Sequence, residues 1–118
     1  MTTFFAKIET ESQNSIFRTV NSVRTYGQNQ QDAEKNVERL ILYWNDVKKY
    51  RILKISNFPI TINKYIFVSI LKFNSGSTKK KKVTIHEETE EEAFKRFHET
   101  INRWKIVVSV EVKEVIHA

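Results

Sequence analysis

Four consecutive lysines, Lys79 to Lys82, are the most conspicuous local chemistry in the chain. Ammonium groups at that density suit phosphate oxygens, because each contact releases counterions and makes affinity fall with salt. The same run suits a different task. Lysine on an exposed strand edge discourages pairing with a second strand. The sequence leaves both readings open. Arg18, Arg24 and Lys64 are the further cations chosen to extend a phosphate-binding patch, and Lys48, Lys49, Arg51 and Lys54 could widen it. Strand aromatics, notably Phe17, Phe67 and Phe73, could stack on bases. Phenylalanine on a strand ordinarily packs in a core, and no RNP-type motif accompanies these three.

Other chemistries find less support. His86, His98 and His117 form no HExxH pair and no other metal-ligand spacing, so exposed or partly exposed histidines are expected. Glu87, Glu88, Glu90, Glu91 and Glu92 gather where a helix should begin. Carboxylates there are favoured by the helix dipole and the cap, which explains them without a metal or a catalytic pair. No serine or threonine lies in a GxSxG or SxxK setting. Without cysteine there is no disulfide framework, thiolate metal site or cysteine nucleophile. With Gly27 and Gly76 as its only glycines, the chain has no dinucleotide fingerprint and no P-loop. No cofactor and no catalytic residue are expected.

The elements that must position these groups follow from pattern. Thr3 to Thr10 and Ser15 to Tyr26 read as strands around a polar turn, Glu11 to Asn14. Ala33, Val37, Leu40, Ile41 and Trp44 form the stripe of a helix from about Gln30 to Lys48. Asn29 is its expected N-cap, Asp32 lies in its first turn, and Lys48 and Lys49 should lie at its C-terminal end. Tyr50 to Ile55 reads as a third strand. Ser56 to Pro59 holds the one proline and marks a boundary. The order then recurs. Tyr65 to Phe73 is a strand, Asn74 to Thr78 a turn and Lys79 to Glu87 a strand. Thr89 to Lys105 is a helix opened by a Thr89/Glu92 capping box, and Val107 to Val115 is a strand.

A shift of 60 positions brings Ala33 onto Ala93, Ile41 onto Ile101, Trp44 onto Trp104, Val23 onto Val83 and Val47 onto Val107, with no gap. It also brings Asn14-Ser15 onto Asn74-Ser75 and Ile8 onto Val68. The bland alternative is two similar βα patterns obeying the same physics. The expected fold is α+β. It comprises two tandem ββαβ units, with a mostly antiparallel sheet and two helices on one face. The 118 residues make a single domain with pseudo-repeats 1–58 and 59–118. A right-handed crossover puts the third strand of each unit beside the first, in the order 2-1-3. Trp44 and Trp104 are expected in the core. The face away from the helices, with Phe4 or Phe5, Ile16 or Phe17, and Phe67 or Val68 on it, invites a partner, a dimer or sheet curvature.

Tyr65 to Val115 reads YIFVSILKF, NSGST, KKKKVTIHEE, TEEEAFKRF, NRW and VSVEV. This resembles short ββαβ modules found in uncharacterised phage and mobile-element proteins. Tandem ββαβ units are also similar to an archaeal-eukaryotic ribosomal large-subunit protein family, whose glycines and prolines the first half lacks. Neither resemblance transfers a functional residue.

The formal net charge of +6 divides evenly between the halves and raises the prospect of a polyanionic partner. No apolar run reaches the length of a membrane span, and the first residues lack a basic and apolar leader, so a cytoplasmic location is expected. The leading expectation is a non-enzymatic binding protein encoded by a phage or mobile element. It would act on nucleic acid or on a nucleic-acid-processing protein. The alternative is a protein-interaction module, such as a small inhibitor of a host defence complex or a homo-oligomeric structural protein. A homodimer through the open sheet face is a further expectation.

Overall fold

The computed structural model describes residues 1–13 and 18–118. The expected strand start at Ser15, the Asn14-Ser15 match and the aromatic Phe17 lie outside the described residues. The elements are β1 (Thr2–Ser12), β2 (Thr19–Gly27), α1 (Gln30–Ile41), β3 (Val47–Ser56), β4 (Asn63–Phe73), β5 (Thr78–Glu87), α2 (Glu90–Arg103) and β6 (Val107–His117). The fold is α+β, two tandem ββαβ units. The chain divides into two compact units, Met1–Ile62 and Asn63–Ala118. Hydrogen bonding gives each unit its own three-stranded antiparallel sheet, ordered β2-β1-β3 in the first and β5-β4-β6 in the second. The 2-1-3 order required by the crossover holds in both.

Both helices begin where capping chemistry places them. The Asn29 side chain accepts a hydrogen bond from the Asp32 amide at 2.9 Å, and Thr89 Oγ1 accepts one from the Glu92 amide at 3.2 Å. The end of α1 departs from expectation. It stops at Ile41, and Lys48 and Lys49 lie in β3, not in the last turn of a helix. The reason lies in the residues after Ile41. The Tyr43 and Trp44 amides donate to the carbonyls of Leu40 and Ile41 at 3.1 and 3.0 Å, which tightens the exit. Asp46 then takes φ +63°, a left-handed conformation that aspartate tolerates better than most residues. Trp44 thus reaches the core from the turn and not from the helical stripe.

In the first unit, Ala6 and Ile8 of β1 meet Val37 and Ile41 of α1, with Val23, Trp44, Val47, Ile52 and Ile55 around them. In the second, Phe67 stacks on Phe97 with centroids 4.8 Å apart and meets Phe94 edge-on at 5.1 Å. Trp44 and Trp104 are only half-buried, because each stands at the rim where its helix ends. On the face away from the helix, Lys7, Glu9 and Val20 in the first unit and Val68 in the second are buried within the chain.

The internal repeat is real in topology but needs one gap. Gly27 and Glu87 stand 60 positions apart, yet their strand partners Thr2 and Asn63 stand 61 apart. The first strand of the second unit is therefore offset by one residue relative to the rest. A one-residue slip in a strand moves a side chain to the opposite face. Ile8 lies in the helix-side core, whereas Val68, opposite Lys82, lies on the other face, so the Ile8–Val68 match fails. The structural counterpart of Ile8 is Ser69. It is buried, and its hydroxyl donates to the Lys81 carbonyl at 3.1 Å. The irregularities agree with this offset. Register shifts fall between Lys7 and Ile8 and between Glu11 and Ser12 in β1, and between Val68 and Ser69 and between Lys72 and Phe73 in β4.

Two glycines meet different demands. Gly76 takes φ +87° in the turn that joins β4 to β5, where the Gly76 amide donates to the Phe73 carbonyl at 2.9 Å. Gly27 ends β2 under the start of α1, where an added Cβ would lie 2.5 Å from the Ala33 nitrogen. Gly27→Ala is therefore expected to lower stability by about 1–3 kcal/mol through overpacking against backbone. Urea denaturation reads this as a lower midpoint, and an unchanged midpoint contradicts the close approach. Phe97→Ala removes a ring buried in the aromatic stack of the second unit. It should cost about 3–5 kcal/mol in the same measurement, with a loss under about 1 kcal/mol counting against the stack.

Candidate nucleic-acid interface

The lysine run lies on β5, an edge strand of its sheet. Because side chains alternate along a strand, the four lysines form two pairs. Lys79 and Lys81, opposite Leu71 and Ser69, stand on the helix side. Lys80 and Lys82, opposite Ile70 and Val68, stand on the other. Lys79, Lys80 and Lys82 are exposed and have no ion-pair partner among the described residues.

On the helix side, the Lys81 ammonium lies 5.0 Å from the centroid of the Trp104 ring. Trp104 in turn meets Phe73 edge-on at 6.0 Å. The exposed Lys105 follows directly on the indole. Cations and a half-exposed aromatic ring thus meet at one corner of the second unit. Sequence reasoning places Trp104 in the core and misses this corner. The signal available is Lys105 next to Trp104, after a helix whose stripe ends at Ile101.

On the other side, Lys72 is opposite Thr78 and so lies diagonally from Lys80, at about 7–8 Å between Cα atoms. Lys72 is also missing from the residues that sequence reasoning selects, although the short Asn74–Thr78 turn implies its position. Lys64 is exposed opposite His86, four residues along β5 from Lys82, so it stands apart from the lysine pair by about 13 Å. This face is not uniformly basic. Across the sheet, Val68 separates Lys82 from Glu114, and Ile70 separates Lys80 from Glu111, which itself bonds Lys113 at 2.8 Å. The positive strip is confined to the β5 side.

Arg18 and Arg24 belong to the first unit, where both are engaged. Arg18 lies 3.6 Å from Glu9 and 3.7 Å from Glu11. Arg51 donates to the same Glu9 carboxylate at 3.2 Å. With Lys49 and Tyr50, these residues line a cavity of about 170 Å³ in which buried Glu9 is the common acceptor. The Arg24 guanidinium lies 5.9 Å from the Phe5 ring centroid. Arg18 therefore serves an internal ion-pair network, which its isolated position in the sequence conceals.

The acidic start of α2 also has internal work. Carboxylate oxygens of Glu87, Glu88 and Glu92 lie within 4.8 Å of one another. Glu87 is buried and takes both Nε and Nη2 of Arg96 at 3.0 Å, and it accepts the Glu88 amide at 3.0 Å. Glu92 belongs to the cap of α2. The histidines at 98 and 117 are stacking partners. His117 lies 4.8 Å from Tyr65, and His98 lies 5.7 and 5.5 Å from Phe94 and Phe97. Among the described residues, no helix is long and apolar enough to cross a membrane.

No family model, no curated protein and no solved structure matches the chain.

Breaking the buried Glu87–Arg96 pair leaves an uncompensated charge in the second unit. Arg96→Leu is expected to cost about 3–5 kcal/mol. Exposed Lys79→Gln should change stability by less than about 0.5 kcal/mol. Thermal or urea denaturation of the two variants checks the contrast, and equal losses would refute it.

Proposed function

We propose that this chain is a non-enzymatic binding protein that acts on nucleic acid, or on a machine that processes it. Its contact surface would be the β5 edge of the second unit. The observation that carries this reading is the set of exposed, unpaired lysines on that edge beside the Lys81–Trp104 contact. Phosphates need unengaged cations, and bases need an accessible ring. The narrow positive strip, bounded by Glu111 and Glu114 across the sheet, favours a single strand over a duplex. A cytoplasmic setting accompanies this reading, and a phage or mobile-element origin rests on the ββαβ resemblance alone.

A second reading, a protein-interaction module, draws on exposed Leu42, Tyr43 and Phe58. Lysines that guard the β5 edge would belong to it.

The test is fluorescence anisotropy with labelled single-stranded DNA and RNA across a salt series. The wild type is compared with the Lys79→Gln, Lys80→Gln, Lys81→Gln, Lys82→Gln variant. Affinity should fall, and the slope of log affinity against log salt should shrink by roughly 0.7 for each lysine–phosphate pair removed. Unchanged affinity and slope, with increased aggregation of the variant, would overturn the nucleic-acid reading and leave the edge-guard role.

A further inference from the structure

The first unit carries its own version of the Trp104 corner, with the charge removed. Between the strand β2 and the turn after α1 lies a groove of about 590 Å³, lined by Asn21, Ser22, Val23, Tyr43, Trp44 and Asn45 among others. That volume lies within the range of small-molecule sites. No charged side chain lines it. Tyr43 is 86% exposed, so it contributes nothing to the core, and Trp44 is half-buried against it. The side chains of Asn21, Ser22 and Asn45 make no hydrogen bond among the described residues.

The repeat gives this composition its meaning. From β2 onward the units correspond at a shift of 60, as the pairs Gly27–Glu87 and Trp44–Trp104 show. Asn21, Ser22, Tyr43 and Asn45 correspond to Lys81, Lys82, Arg103 and Lys105. The tryptophan is shared and every one of those four positions differs in charge. The second unit's indole has Lys81 over its ring and Lys105 next to it in the chain, whereas the first unit has the neutral amides Asn21 and Asn45 at those positions.

We infer that the Trp44 groove is a binding site for a single nucleobase. Tyr43 and Trp44 line the groove with aromatic rings, which stack on planar heterocycles, and the Asn21 and Asn45 amides each pair a donor with an acceptor, as base edges do. The lack of charge argues against a phosphate ligand there. Choosing a base over another planar ligand rests on the nucleic-acid reading of β5.

The experiment uses the full chain with Trp104→Phe, which leaves Trp44 as its one tryptophan. Adenosine, guanosine, cytidine and uridine, all uncharged, are titrated while tryptophan emission is followed, with glucose and cellobiose as comparison ligands. At least one nucleoside should quench Trp44 saturably, with little dependence on salt. Tyr43→Ala, at an exposed position, should weaken that nucleoside roughly ten-fold through the missing stacking partner. Asn45→Ala should weaken it and flatten the preference among bases. The fourfold lysine-to-glutamine variant should bind the nucleoside as before, whatever its effect on oligonucleotides. This separates the groove from the β5 reading. No saturable quenching by any nucleoside overturns the inference, even if oligonucleotides still bind in a salt-dependent way. Quenching by the sugars alone also overturns it, and so does nucleoside binding that Tyr43→Ala and Asn45→Ala both leave intact.

Discussion

A three-stranded sheet has one interior strand, and in each unit that place belongs to the strand that comes first. The rest of the architecture follows from it. β1 and β4 hydrogen-bond on both sides and carry the central row of the core, with Ala6 and Ile8 in one unit and Phe67 and Leu71 in the other. The remaining strands of each sheet are then edges. β5 can be charged along its first half because only alternate residues of its far half, Val83 and Ile85, must serve the core. An interior strand could not hold four lysines, since half of them would be buried without partners.

That constraint also explains how two units of one topology can differ at one corner. The tryptophan after each helix stands at the rim of its core, so its neighbours on β2 or β5 are free to change without cost to the interior. The first unit has asparagine and serine on β2 and tyrosine in the turn after α1, where the second has lysines on β5 and arginine at the end of α2. Residues tied into the interior have less latitude. Glu87 is fixed by Arg96, and Glu9 by Arg51 and Arg18.

Much of the fold is legible where a local rule has a single solution. Asn29 and Thr89 announce their helices, and Ala33, Val37 and Ile41 with Ala93, Phe97 and Ile101 announce the buried stripes. The order 2-1-3 follows from connection length and handedness. What fails is phase. β1 and β4 carry large apolar groups on both faces, so alternation does not say which face Ile8 or Val68 serves, and an ungapped shift puts them together. The end of α1 is missed because Trp44 falls on the helical period although the chain has already left the helix and turns at Asp46. At the candidate site, the lysines are legible as a run, but charge counting does not tell engaged cations from unengaged ones. Arg18 lies between two carboxylates brought to it by β1, a contact set by register and invisible in spacing.

The short turn around Gly76 has a kinetic side. It joins β4 to β5 with four intervening residues, so this hairpin closes a small loop. Loop closure of that size is fast, with hairpins forming in about 1–10 μs, whereas β6 must wait for α2 before it can reach β4. The lysine edge therefore belongs to the most local part of the second unit. It can take shape while the chain is still emerging, before the helix that brings Trp104 to it has formed.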